Sequence, residues 1–181
     1  MKLSCTTVML PRWTLDETFD KLAECGYDAV ELRCRYNPDE DSAPAFWGRH
    51  LSDVSPDNVV DKAPAIRAAA ARSGVRVAAL APKCLIDEED EIRKLCAGAV
   101  YGARSYRQGR AGKKERDGHG QQKWQWAFCA LQEGVADIPQ IVQDLRDVDY
   151  GGYVSLEEFG PGDDGEKIAA QGAYLRALAA A

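Results

Sequence analysis

The sequence predicts an α/β fold in which helices alternate with parallel strands, and three observations carry that expectation. Tyr153-Val154-Ser155-Leu156-Glu157 sets Val154 and Leu156 on one side and Ser155 and Glu157 on the other, the two-residue period of a strand. In front of it, apolar residues at 138, 141, 142, 145 and 148 form a helical stripe. The same order stands near the start: Leu15, Phe19, Leu22 and Ala23 give an apolar helix face, and Tyr27 to Arg33 follows with Val30 and Leu32 opposite Ala29, Glu31 and Arg33. A barrel accounts for strands that are half apolar and half polar, because one face meets the surrounding helices and the other meets the interior or its mouth. Ligands in such folds bind beyond the carboxyl ends of the strands, where Glu157 and Glu158 fall.

The elements follow in order. Leu3 to Val8 is a short β-prone start, broken at Pro11-Arg12-Trp13. Thr14-Leu15-Asp16-Glu17 has the form of a capping box, and Gly26 is a natural stop for the helix it opens. Arg35 to Asp53 is a long connection containing Phe46-Trp47-Gly48-Arg49-His50, read either as a lid that packs its own aromatics or as a substrate contact. Ser55-Pro56 suits a helix start, with Val59, Val60, Ala63, Ile66, Ala69 and Ala70 continuing to Gly74 and Pro64 expected to kink or divide it. Val75 to Ala81 is a third strand. Asp87, Glu88 and Glu89 suit the positive end of another helix, and Ala103 to Arg107 is a fourth strand. Residues 108–122 carry charges and glycines with no apolar period and read as a polar linker. Lys123 to Phe128 alternates like a strand or hairpin arm.

Composition narrows the function classes. A chain of 181 residues can bury a single-domain core but falls short of the roughly 250 residues of an eight-unit barrel. A net charge of −6 argues against nucleic acid as a partner. The low-charge run from Val75 to Pro82 is far below the roughly 18 apolar residues of a membrane span, and Met1-Lys2-Leu3-Ser4 begins no signal pattern, so a cytoplasmic protein without a membrane partner is expected. Six scattered cysteines make no zinc spacing, and Cys25 and Cys96 read as reduced core thiols. Only His50 and His119 are available as imidazole ligands.

The stretch from Asp137-Ile138-Pro139 through Tyr150-Gly151-Gly152-Tyr153-Val154-Ser155-Leu156-Glu157-Glu158-Phe159, together with Gly26-Tyr27-Asp28-Ala29-Val30-Glu31-Leu32, resembles the sugar phosphate isomerase/epimerase family of xylose-isomerase-like TIM barrels. The resemblance divides the chain into residues 1–107 as the first four strand-helix units, the linker 108–122, and residues 123–181 as the end of the seventh unit and the eighth. It implies an incomplete barrel, a parallel arc of about five units in the strand order 8-1-2-3-4. It implies a small sugar or sugar phosphate as ligand and a divalent metal, Mn, Mg, Co or Zn, as cofactor. Glu157 matches the family's metal ligand at the end of the last strand and stands as both catalytic and metal residue. The other family ligands belong to units that have no counterpart here.

Four further residues are candidates for the substrate. Glu31 and Arg33 leave the second strand on the interior face, where they line a sugar site or form a structural ion pair. Arg107 ends the fourth strand as a phosphate or carboxylate contact or a solvated rim residue. Trp13 stacks on a sugar or staples the first helix. The activity implied is metal-assisted proton transfer next to a carbonyl, weak or absent in the isolated chain. The alternatives are a non-catalytic shortened barrel that binds a partner, and a nuclease of the endonuclease IV type, disfavoured by charge. An open arc also leaves edges exposed, so association of two copies is expected.

Overall fold

The computed structural model describes residues 1–37, 41–82, 111–116 and 122–181. Its main sheet has four parallel strands, β1 (Lys2–Thr6), β2 (Ala29–Cys34), β3 (Arg76–Pro82) and β6 (Tyr153–Leu156), in the order β3-β2-β1-β6. The last strand therefore lies beside the first, as an open arc of a βα barrel requires. The strand expected at Ala103 to Arg107, Arg107 itself, the helix expected after Asp87, and Cys96 and His119 lie outside the described residues.

Among the described residues four α-helices accompany the strands. Helix α1 (Leu15–Glu24) opens on the expected capping box: Thr14 Oγ1 accepts from the Glu17 amide, and the Glu17 carboxylate accepts from the Thr14 amide at 2.8 Å. Helix α2 (Val59–Ser73) stops at Gly74, whose φ of +78° is the left-handed conformation that favours glycine. The expected start at Ser55-Pro56 is corrected to Asn58. The reason is a turn in which the Asn58 side chain accepts from the Ser55 amide and donates to the Asp53 carbonyl, holding residues 55–58 out of the helix. Pro64 does not divide α2, which runs through it. Helix α3 (Ile138–Asp147) is capped by Asp137, and α4 (Asp164–Ala180) by Asp163, whose side chain accepts from the Gly165 and Glu166 amides.

One buried cluster joins the sheet to the helices. It takes Leu3, Cys5, Val30, Leu32 and Leu156 from the strands, Phe19 and Leu22 from α1, Ile66 from α2, Ile138 and Val142 from α3, and Ile168 and Leu175 from α4. Tyr27 closes its lower end by donating from its hydroxyl to the Ile168 carbonyl at 2.8 Å.

The linker expected over residues 108–122 is corrected in part. Strands β4 (Ala111–Arg116) and β5 (Gln122–Ala127) form an antiparallel hairpin of their own, with Gly112 opposite Trp126 and Lys114 opposite Trp124. A hairpin ladder is made by backbone groups, so the charged sequence Ala-Gly-Lys-Lys-Glu-Arg enters it without an apolar alternation to announce it.

Candidate functional site

Strand alternation sorts the central sheet into two faces. Leu3 and Cys5 stand with Val30, Val154 and Leu156 on the helix-facing side. The opposite face is polar: Ser4 lies beside Ser155 and Ala29, and Thr6 beside Glu31. Glu157 follows β6 by one residue and by the same alternation joins Ser155, next to Thr6. Glu31 and Glu157 thus flank β1 two inter-strand spacings apart, about 10 Å. Both lie within electrostatic reach of Cys5, whose thiol pKa is raised first by burial and then by the charges of Glu31, Cys25 and Glu157. Both carboxylates have interaction partners.

On the other flank β2 meets β3 across an irregular register, with Val30 opposite Val77 but Glu31 opposite Ala79. The bulge brings Ala79 and Ala81 beside Glu31 and Arg33, and their small side chains leave room along that face.

The rim is closed by the connection after β2. Its Phe46 and Trp47 pack on Phe159, the residue that leaves β6, with ring centroids 5.3 and 5.0 Å away, and Phe128 reaches the same ring at 5.3 Å. Lys167 of α4 sits 5.0 Å over the Phe46 ring, donates to the Gly160 carbonyl at 3.0 Å and pairs with Asp164 at 3.3 Å. The strap over residues 41–53 therefore runs from the second strand to the last, above β1. Its aromatics pack as those of a lid would, on Phe159 and not on one another as expected.

Arg33 anchors this strap from below. Its side chain is buried; the guanidinium donates to the Gly48 carbonyl at 2.9 Å and to Asn37 Oδ1 at 3.4 Å, while its backbone amide donates to Thr7 Oγ1 at 2.8 Å. Burial lowers the Arg33 pKa, and the Arg35 charge lowers it further. His50 is held as firmly: its amide donates to Asn37 Oδ1 at 2.9 Å, and Nε2 lies 3.0 Å from the Phe46 carbonyl. Burial lowers the imidazole pKa to about 4. The Phe46 carbonyl opposes the shift, Arg33 and Arg35 reinforce it, and the Thr7 backbone opposes it more weakly.

The other candidates fall elsewhere. Trp13 packs against the core cluster at the rim, close to Gly165 in the first turn of α4, beside the Arg12–Asp164 ion pair of 2.8 Å. Glu158 is buried, and its carboxylate accepts from the Gly160 amide to close the turn after β6. Of the two acids at this strand end, only Glu157 belongs to the polar face.

The described residues do not by themselves build a cage for a divalent ion. Among the described residues no three His, Cys, Asp or Glu side chains are grouped to hold a metal. Glu31 and Glu157 offer two carboxylates, fewer than the protein ligands of a closed zinc site, so a divalent ion held by them alone would keep water at its other positions. The sequence analysis set Ser155 with Glu157 but passed over Ser4 and Thr6, which become recognisable only once the register puts Ser4 beside Ser155 and Thr6 beside Glu31.

No family model and no curated protein matches the chain. Among solved structures it is similar to a xylose isomerase-like TIM barrel protein from Mycobacterium smegmatis, crystallised in complex with magnesium, at 12% identity and a TM-score of 0.34 over 92% of this chain. It spans 66% of that protein's length, less than two thirds. It is also similar to an uncharacterised protein from Parabacteroides distasonis, at 13% identity and a TM-score of 0.38, with 97% of each chain covered.

Proposed function

We propose that this chain is a shortened relative of the sugar isomerases and epimerases that binds a small sugar or sugar phosphate at its strand ends and turns it over weakly or not at all. The observation that supports this best is the placement of Glu31 and Glu157 on one polar face, either side of Thr6. Proton transfer next to a carbonyl needs a base on the C–H and a group to return the proton, and carboxylates facing each other across a sugar-sized gap have that chemistry. Ser4, Thr6 and Ser155 add hydroxyls of the kind that meet sugar hydroxyls. In the isomerases a divalent metal stabilises the developing enediolate oxygens, and the described donors here form no group of three to hold one. Arg33, the cation on this face, already donates to the strap. Loss of one oxyanion-stabilising group costs about 10²–10³ in rate, hence the low turnover.

Saturation-transfer NMR over a panel of aldoses, ketoses and their phosphates tests the binding half. Transfer to at least one sugar, lost in Glu157→Gln and Glu31→Gln, is expected, and a panel without any binder would remove the proposal. Assays with Mn, Mg, Co or Zn test the other half. Metal-dependent turnover abolished by Glu157→Gln would show that ligands are recruited from elsewhere.

A role in binding without turnover is the second reading, favoured by the engagement of Arg33 in the strap. We also propose self-association: the outer edge of β6 is unpaired among the described residues, and such edges template pairing. A compact monomer in sedimentation at micromolar concentration would count against it.

A further inference from the structure

Among the described residues, two arginines at the end of β2 stand without an acid in ion-pair contact. Arg33 is 4% exposed, and its two recorded side-chain partners are neutral, the Gly48 carbonyl and Asn37 Oδ1. Its Nε–H is buried with no hydrogen-bond partner, and so is the Nε–H of Arg35, two residues further along the same side of the chain. The two charges lie close enough for Arg35 to depress Arg33. His50, 1% exposed, lies within reach of both; its Nδ1 is buried and makes no hydrogen bond of good geometry, with the Thr7 backbone near the ring.

Among the described residues neither arginine forms an ion pair. The acid whose charge reaches Arg33 is Asp53, which pairs with Lys62 at 3.1 Å and accepts from Asn37 at 3.0 Å. An uncompensated buried charge with an unsatisfied N–H is unfavourable twice over, once for the charge and once for the donor. One bound anion relieves both.

We propose that Arg33, Arg35 and His50 form a site for a small oxyanion, phosphate or carboxylate, beneath the strap. The two Nε–H groups donate to its oxygens in charge-assisted bonds. Nδ1 of neutral His50 accepts from the hydroxyl of a hydrogen phosphate; a carboxylate, which carries no such proton, is held by the two Nε–H groups alone. Arg35 is only partly buried and is the more accessible of the two arginines. This deepens the sugar reading and rests on it for the rest of the ligand, since the anion is then the phosphate or acid group of the sugar; the anion alone should still bind.

Calorimetry and thermal unfolding of the full chain, with inorganic phosphate or acetate against chloride at equal ionic strength, test the site. A saturable rise in Tm of about 5–10 °C at about 100 Kd is expected with one of the two anions and not with chloride. Saturation by phosphate alone assigns a phosphate ligand, and saturation by acetate alone a carboxylate. Arg35→Gln should weaken the binding at least 10-fold, with partial rescue by Arg35→Lys, while Arg67→Gln on the exposed face of α2 leaves it unchanged. A response no larger than that to chloride, or one that survives Arg35→Gln, overturns the site. Anion binding in a chain that binds no sugar would retire the sugar reading alone, and sugar binding untouched by Arg35→Gln would retire the anion site alone.

Discussion

Acid should loosen this protein through His50 before it does so through any carboxylate. Burial holds the folded-state imidazole near pKa 4, against 6.5 in an exposed chain. A base with a depressed pKa is neutral when folded and charged when unfolded between those two values. The unfolded state then binds more protons, and stability falls as pH drops from about 6.5 towards 4. Integrated over the shift, the loss is about 3 kcal/mol, of which about 2 kcal/mol appears between pH 7 and pH 5. Urea unfolding of the wild-type chain and of His50→Gln over pH 7.5–4.5 reads this directly. The variant lacks the titrating group, so its stability should be nearly flat to pH 5 while that of the wild type falls. Glu17, whose pKa is lowered first by the Thr14 amide, loses its contribution only as pH falls below the ordinary carboxylate range, and does so in both proteins. Parallel curves down to pH 5 would refute the reasoning, because they would mean that His50 is hydrated or already charged in the folded state.

Three substitutions test the packing around the site. Phe159→Ala removes the ring shared by Phe46, Trp47 and Phe128 and should cost about 2–4 kcal/mol; amide exchange over residues 41–53 should accelerate with it, and unchanged exchange would mean that the strap is held by Arg33 and His50 alone. Thr14→Ala breaks the capping box and should lower stability by about 1 kcal/mol in chemical denaturation. Tyr27→Phe leaves the Ile168 carbonyl without its donor and should cost about 1–2 kcal/mol, read by the same method.

Much of the fold could be read from the chain because its signals are local. Thr14 with Glu17 marks a helix start by spacing alone, Gly74 marks a stop because its conformation suits glycine, and the alternation around Val30 and Val154 sorts two sheet faces without any knowledge of neighbours. The order β3-β2-β1-β6 followed from the resemblance, since a barrel sets its last strand beside its first. What escaped depends on partners remote in sequence or on the backbone. Glu31 stands opposite Ala79 only because of a bulge that no side-chain pattern announces. Arg33 could be placed on the interior face from the alternation, but its bond to Gly48 shows only once the strap is folded above it. Ser4 and Ser155 are ordinary serines until the register makes them neighbours.

The position of β1 between β2 and β6 also sets an order of assembly. Ser4 pairs with Ala29, 25 residues on, whereas Lys2 pairs with Tyr153, 151 residues on. Closing the longer loop costs about 1.5 kcal/mol more in chain entropy, so the contacts among β1, β2 and β3 form first and β6 docks last. Until it does, β1 is an open edge whose Leu3 and Cys5 lack Val154 and Leu156 beside them. A chain caught at that stage presents to other chains the strand that its own end is meant to cover, which makes the slow arrival of β6 the step at which misassembly competes with folding.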